Sequence, residues 1–186
     1  MDNSTDIVID IETTGTAPGC CILSIGAATT DRKYHFYLPI WHASQKELYG
    51  LKDNHDTLRW WDKQSAAARD EAFSGTVGLV NALGQFSDWI QAIPVKEKFF
   101  WGNGADFDQP ILAYAYNAVD MKNPFGFNNR CYRTLKNLYK NIKADDEFEG
   151  IKHHALWDAK HEAKHLSRLL QHHFTMNSPA KQQFQD

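Results

Sequence analysis

Ile7, Ile9 and Ile11 alternate with Val8, Asp10 and Glu12 in "DIVIDIETTG", and a period of two predicts a β-strand from Asp6 to Glu12. One face of that strand is wholly apolar. The other runs from Val8 into two carboxylates. Beyond "TTGTAPG" lies an apolar run, "CCILSIGAATT", and past the tight connection "TTDRK" the alternating stretch "KYHFYLP". Three strands joined by short turns predict an antiparallel meander. From Asp56 the period lengthens. "DTLRWWDKQSAAARDEAF" and "TVGLVNALGQFSDWIQAI" read as helices with Asp56 and Thr76 as their caps. "EKFFWG" reads as a short buried strand ending at Gly102. In the helix "DQPILAYAYNAV" that follows, Pro110 falls in the first turn, where its missing N–H removes no helical hydrogen bond. A short strand at Phe127 to Cys131, a helix "RTLKNLYKNI" and a helix from about His154 to His173 complete the series. A meander followed by alternating helices and strands predicts an α/β domain with a mixed sheet covered by helices. The expected organisation is one domain over 1–175, with 176–186 a frayed tail.

Composition narrows the class. The chain has 186 residues, 42% hydrophobic and 23% charged, as expected of a soluble globular protein. No run reaches the roughly 18 apolar residues of a membrane span, so no membrane partner is expected. The polar, acidic start "MDNSTD" is unlike a secretory signal, which predicts a cytoplasmic location. Cys20, Cys21 and Cys131 lack metal-ligand spacing and read as thiols in a reducing compartment. A net charge of −3 gives no overall attraction to nucleic acid. The distribution changes that picture. Met121 to Ala144 carries Lys122, Arg130, Arg133, Lys136, Lys140 and Lys143 without an acid, interleaved with Phe, Tyr and Asn. Such a stripe suits phosphates and bases, and a solvated helix face has the same composition.

Three acidic stretches carry candidate chemistry. A lone D-x-E is weak evidence, and the chain holds a second, Asp145 and Glu147, in a polar loop where carboxylates cost little. Asp10 and Glu12 instead share a strand face otherwise expected to be apolar. Crowded, partly desolvated carboxylates repel one another, so a pair kept there calls for a positive partner. In "WGNGADFDQPIL", Asp106 is the natural helix cap, which leaves Asp108 free in the first turn. In "KHHALWDAKHEAKH", His153 and Asp158 are separated by four residues. His154, Asp158, His161 and His165 share one helix face, the pattern of a zinc site. A rise of about 5.4 Å per turn prevents all four from reaching one ion, and a surface stripe is the expectation for His161 and His165. Four carboxylates with one histidine form a hard oxygen site suited to Mg²⁺ or Mn²⁺. Two such ions about 4 Å apart serve in-line hydrolysis of a phosphodiester, with a neutral histidine taking the proton of the attacking water. The positive partner expected at Asp10 and Glu12 is therefore a divalent cation.

In order and spacing, "DIVIDIETTG", "NGADFD" and "HHALWDA" resemble the three exonuclease motifs of the DEDDh 3′–5′ exonucleases. That superfamily includes ribonuclease T, oligoribonuclease and the proofreading subunit of bacterial replicative polymerases. "LRWW", "WGNGADFD", "NRCYRTLK" and "FEGIKHHALWDAKHEAKHL" bring the likeness closer to a compact bacterial and phage branch, exoribonuclease-like or exodeoxyribonuclease VIII-like. The likeness runs from about Asp6 to Leu170. It implies an RNase H-like fold: a five-stranded mixed sheet, its first three strands antiparallel, flanked by helices. By motif, Asp10, Glu12 and Asp158 would hold one divalent cation and Asp10 with Asp108 a second, with His153 as general base. Thr13, Thr14 and Gly15 would meet the terminal nucleotide, and Asn103 and Phe107 would lie near the substrate. Arg130 and Arg133 of the basic stripe would serve phosphates. Arg133 stands before "TL" where many relatives are acidic, and an arginine there is normal for the branch named. The implied activity is release of nucleoside 5′-monophosphates from the 3′ end of single-stranded DNA or RNA. A catalytically weak nucleic-acid-binding module on the same fold is the alternative. The aromatics of "LRWW" suit either the core or a homodimer contact.

Overall fold

A computed structural model describes residues 4–145 and 147–177. Its elements are β1 (Ser4–Thr13), β2 (Ile22–Thr29), β3 (His35–Pro39), α1 (His42–Tyr49), α2 (His55–Trp61), α3 (Ala66–Ala72), α4 (Leu79–Ala92), β4 (Glu97–Gly102), α5 (Asp108–Ala118), β5 (Asn129–Cys131), α6 (Tyr132–Leu138) and α7 (Ala155–Met176). The sheet has five strands in the order β3-β2-β1-β4-β5. β1 is antiparallel to β2 and β2 to β3, while β4 lies parallel to β1 and β5 parallel to β4. This is the meander and mixed sheet expected.

The alternation of β1 divides the interior. Ile7, Ile9 and Ile11 face one layer, where Leu79, Leu83 and Phe86 of α4 and Ile111, Leu112 and Tyr116 of α5 are buried with them. Val8 faces the other, against Ala159, Ala163, Leu166 and Leu169 of α7. The alanines are small enough to bring α7 close to β1 and β2. Trp61 is buried in a smaller cluster with Leu23 and Ala72, whereas Trp60 is 40% exposed. No described helix is long and apolar enough to cross a membrane.

Several expected boundaries move. The helix read from Asp56 is two: Asn54, not Asp56, caps α2 by accepting from the Asp56 and Thr57 N–H groups, and Ser65 caps α3. Thr76 does not cap α4, which starts after Gly78. Val77 is instead held in a bridge with Ile40, its carbonyl accepting from Trp41 N–H at 2.8 Å. α1 was not expected. Helix α7 continues through Met176, where a frayed tail was expected to begin, and 178–186 lie outside the described residues.

Candidate active site

Parallel strands β1 and β4 end on the same side of the sheet, where the loop from β1 to β2 and the loop from β4 to α5 both emerge, an arrangement that gathers ligands at strand carboxyl ends. Asp10 and Glu12 lie at that end of β1, paired with Gly26 and Ser24 of β2. A Cβ on Gly26 would fall inside the Ala155 carbonyl group. Glycine there lets the first turn of α7 press onto the sheet beside Asp10, and that turn carries Asp158. Asp10, Glu12 and Asp158 consequently offer carboxylate oxygens that lie within 4.8 Å of one another.

Asp108 arrives from the other side. It is the first residue of α5 and only 1% exposed. Its Oδ1 accepts from Ile11 N–H at 3.3 Å and its Oδ2 from Asn103 N–H at 3.0 Å. Gly102 makes the room, since a Cβ there would sit 2.7 Å from Asp108 Oδ2. Asp106 does not cap this helix. Phe107 takes the cap position, and Asp106 is exposed. The two N–H groups draw Asp108 inward, while the chain reaches it through a non-helical backbone at Phe107 (φ −117°, ψ −88°).

The adjacent histidines have different surroundings. His154 is the N-cap of α7, its Nδ1 accepting from Leu156 N–H at 3.3 Å. Its ring stacks on Tyr37 at 4.1 Å, and its Nε2 lies 3.8 Å from Glu71 Oε1. His153 sits one residue earlier in a left-handed backbone (φ 61°) and meets the edge of Trp60 at 4.8 Å between ring centroids. Asp158 Oδ2 accepts from His154 N–H at 3.1 Å, tying this turn to the acid cluster.

The electrostatics follow from crowding in a desolvated place. Burial first, and then Glu12, Asp108, Glu162 and Asp158, push the Asp10 carboxyl well above its ordinary value. Burial, Asp158 and Asp108 push Glu12 up to about 8. Asp108 rises to about 7 by burial, against the N–H groups that favour its charged form. Asp158 is raised, again by burial first. Hard oxygen donors that resist ionisation are what a divalent cation would relieve. A second cluster, Cys21, His42 and Asp53, has its charge met already: His42 Nε2 lies 2.6 Å from Asp53 Oδ1, and Lys46 Nζ lies 2.9 Å from Oδ2.

Glu162 was missed in the sequence. It lies one turn beyond Asp158, and its Oε1 accepts from Asn103 Nδ2 at 2.5 Å. The signal was the i, i+4 spacing from Asp158 on an otherwise alanine-lined helix face. The same face was expected to present His161 and His165 at the surface, and it does not. His165 is 2% exposed. Its Nε2 donates to the Ile142 carbonyl at 2.9 Å, so its Nδ1 accepts from Tyr132 OH at 2.6 Å. His161 is half-buried against Phe148.

A cleft of about 450 Å³ opens next to the acids, lined by Glu12, Thr13, Gly15, Thr16, Trp60 and Trp61. Trp61 Nε1–H donates to the Thr13 carbonyl at 2.8 Å and fixes its wall. Gly15 is held to glycine by Cys20, whose Cβ would be 2.7 Å from an added one. Thr14 is completely buried, its N–H donating to Cys21 and its carbonyl accepting from Asn54. Arg133 reaches the site, donating to the carbonyl and Oδ1 of Asn103 at 2.5 and 3.3 Å. Phe107 packs partly buried against the core. Arg130 turns away: its guanidinium lies 3.5 Å from the Phe99 ring centroid and 3.5 Å from Asp6 Oδ1, near the opposite end of β1.

Comparison with known proteins bears on this geometry. The family described as the 3′-5′ exoribonuclease Rv2179c-like domain matches residues 5–170. No curated protein matches the sequence. Among solved structures, the nuclease domain of 3′hExo, a DEDDh family member bound to rAMP, superposes with a TM-score of 0.62 at 14% identity, over 90% of this chain and 92% of that one. Cell-death related nuclease 4 (CRN-4) gives 0.60 at 14% identity, over 92% of this chain and 66% of that one. Exonuclease I from Methylocaldum szegediense gives 0.61 at 11% identity, over 95% and 41% respectively. At these identities the likeness is one of fold.

Proposed function

The chain belongs to the Rv2179c-like family of 3′-5′ exoribonuclease domains, and from that premise we propose that it shortens single-stranded RNA from a free 3′ end. The observation that carries the proposal is the convergence of Asp10, Glu12 and Asp158, whose oxygens lie within 4.8 Å of one another. The charge of Asp108 acts on Asp10 and Glu12 as well.

We assign Asp10, Glu12 and Asp158 to one divalent cation and Asp10 with Asp108 to a second, Mg²⁺ or Mn²⁺ in each case. Bound there, the ions would offset the carboxylate repulsion and supply Lewis acidity toward the scissile phosphate. His153 takes the proton of the attacking water, because the ring of His154 is already committed to capping α7. The water oxygen bonds to phosphorus as the P–O3′ bond breaks. Its electron pair stays on the 3′ oxygen of the shortened strand, which gains a proton, and a nucleoside 5′-monophosphate leaves. Thr13 and Gly15 line the cleft for the terminal nucleotide, with the exposed ring of Trp60 available for a base to stack on. Arg133, at the rim, serves the phosphate side.

The test is a time course on 5′-labelled single-stranded RNA and DNA of one sequence, with Mg²⁺, Mn²⁺ or EDTA. The expected result is a ladder shortening one nucleotide at a time, faster on RNA and abolished by EDTA. A 3′-phosphate should block it. Internal cleavage of the blocked strand would overturn the exonuclease assignment, and faster loss of DNA would overturn the RNA assignment.

A further inference from the structure

Glu162 has no part in the mechanism above, yet its setting is unusual for a structural residue. It is nine-tenths buried on α7, and Ala159, Ala163 and Leu166 around it are buried apolar residues. Its Oε1 accepts from Asn103 Nδ2 at 2.5 Å. Its Oε2 is buried with no hydrogen-bond partner among the described residues. It stands one helical turn from Asp158, about 6 Å away on the same face. Its charge is felt by Asp10, and those of Asp108 and Asp158 are felt by it. The carboxyl group thus lies close enough to the acid cluster for their charges to act on one another.

Neither protonation state suits Glu162 as it stands. Ionised, it places another negative charge beside Asp108 and Asp158 in a desolvated pocket. Protonated, its Oε2–H has nothing to donate to, and an unmet buried donor is costly. A glutamine would hold Asn103 without the charge, and a leucine would fill the space. Only a positive group at Oε2 makes the carboxylate useful.

Building on the metal assignment of the preceding section, we infer that Glu162 is a fifth metal-holding carboxylate, binding through Oε2 the cation assigned to Asp108. The two oxygens then divide their work. Oε1 fixes the Asn103 side chain, whose backbone N–H holds Asp108 and whose carbonyl holds Arg133. Oε2 completes the donor set on the inner side. Glu162 is also linked to the basic stripe, since Lys136 favours its charged form.

The test is calorimetric titration of Mn²⁺ alone into the metal-free wild type, Glu162→Gln and Asn103→Ala, with a thermal melt of each to verify folding. Wild type should take up two ions. Glu162→Gln, which can still accept from Asn103, should keep one site within twofold of wild type and bind the second at least tenfold more weakly. Asn103→Ala should change neither site by more than threefold. Unchanged Mn²⁺ binding in a folded Glu162→Gln would overturn the inference while leaving the exonuclease reading intact. Weakening of the second site by Asn103→Ala to the same extent would also overturn it, by reducing Glu162 to an anchor for Asn103. Absence of Mn²⁺ uptake by the wild type would overturn both readings together.

Discussion

Glu12→Gln converts the carboxylate repulsion into a measurable stability. The side chain of Glu12 is pushed up to about 8 by burial, Asp158 and Asp108, from an ordinary value of 4.5. A carboxyl whose folded value is raised leaves stability at its fullest below about 4.5, where both folded and unfolded chains hold the proton. Stability then falls as pH rises through the window from 4.5 to about 8. At pH 7 the unfolded chain has released the proton and the folded one has not, a difference of roughly 2.5 units worth on the order of 3 kcal/mol. Glutamine has the same shape without the charge and removes that penalty. For a domain of this size about 3 kcal/mol raises the melting temperature by roughly 6–12 °C. The assay is differential scanning calorimetry of both proteins in EDTA from pH 4 to 8. The curves should coincide near pH 4 and separate with rising pH, the variant melting higher. Adding Mn²⁺ at pH 7 should then stabilise wild type by about 2.7 kcal/mol at a hundredfold excess over its dissociation constant and close most of the gap. A gap independent of pH, or a variant less stable than wild type in EDTA at pH 8, would refute the account of Glu12 as a carboxyl whose ionisation the folded site opposes.

The remaining predictions concern proton transfer, substrate grip and helix placement. His153→Ala should lower the turnover rate by about 10²–10⁴ with little change in melting temperature. His154→Ala should instead lose about 1 kcal/mol of stability with its cap and retain more activity, and the opposite ordering in paired rate and melting measurements would exchange the two roles. Neutralising Lys136 and Lys140 together should weaken binding of an RNA oligonucleotide and flatten the dependence of its affinity on salt, read by fluorescence anisotropy at several ionic strengths. An unchanged slope would leave that stripe as solvated surface. Gly26→Ala should displace α7 from β2, costing about 1–3 kcal/mol and most of the activity, as measured by denaturant melts and the ladder assay.

What could be read from the sequence was what short range decides. The alternation of Ile7, Ile9 and Ile11 with Val8, Asp10 and Glu12 announced both the strand and the unusual face, and "EKFFWG" marked β4 to the residue. Helix α1 escaped because "HASQKELY" is polar overall and weakly patterned, and the chain there is anchored by Gln45 reaching back to Ile22. The long helix expected from Asp56 failed because Asn54 and Ser65 are stronger caps than the periodicity could reveal. His165 looked like surface because its partners, Tyr132 and the Ile142 carbonyl, are distant in the chain. Arg130 was read with its basic neighbours, but the aromatic rings and Asp6 that claim it belong to other strands. Glu162 was hidden for the same reason, since its one hydrogen-bond partner among the described residues, Asn103, comes from β4's trailing loop.

The dependence of Asp158 on the seat that Gly26 leaves for α7 has an implication for biosynthesis. Asp10 and Glu12 emerge from the ribosome long before the helix that completes their cluster. On the metal assignment proposed above, a nascent chain is therefore unable to hydrolyse nucleic acid until its α7 segment has cleared the exit tunnel and docked. Any product truncated ahead of Ala155 lacks Asp158 and should cleave no nucleic acid, however well its sheet has formed.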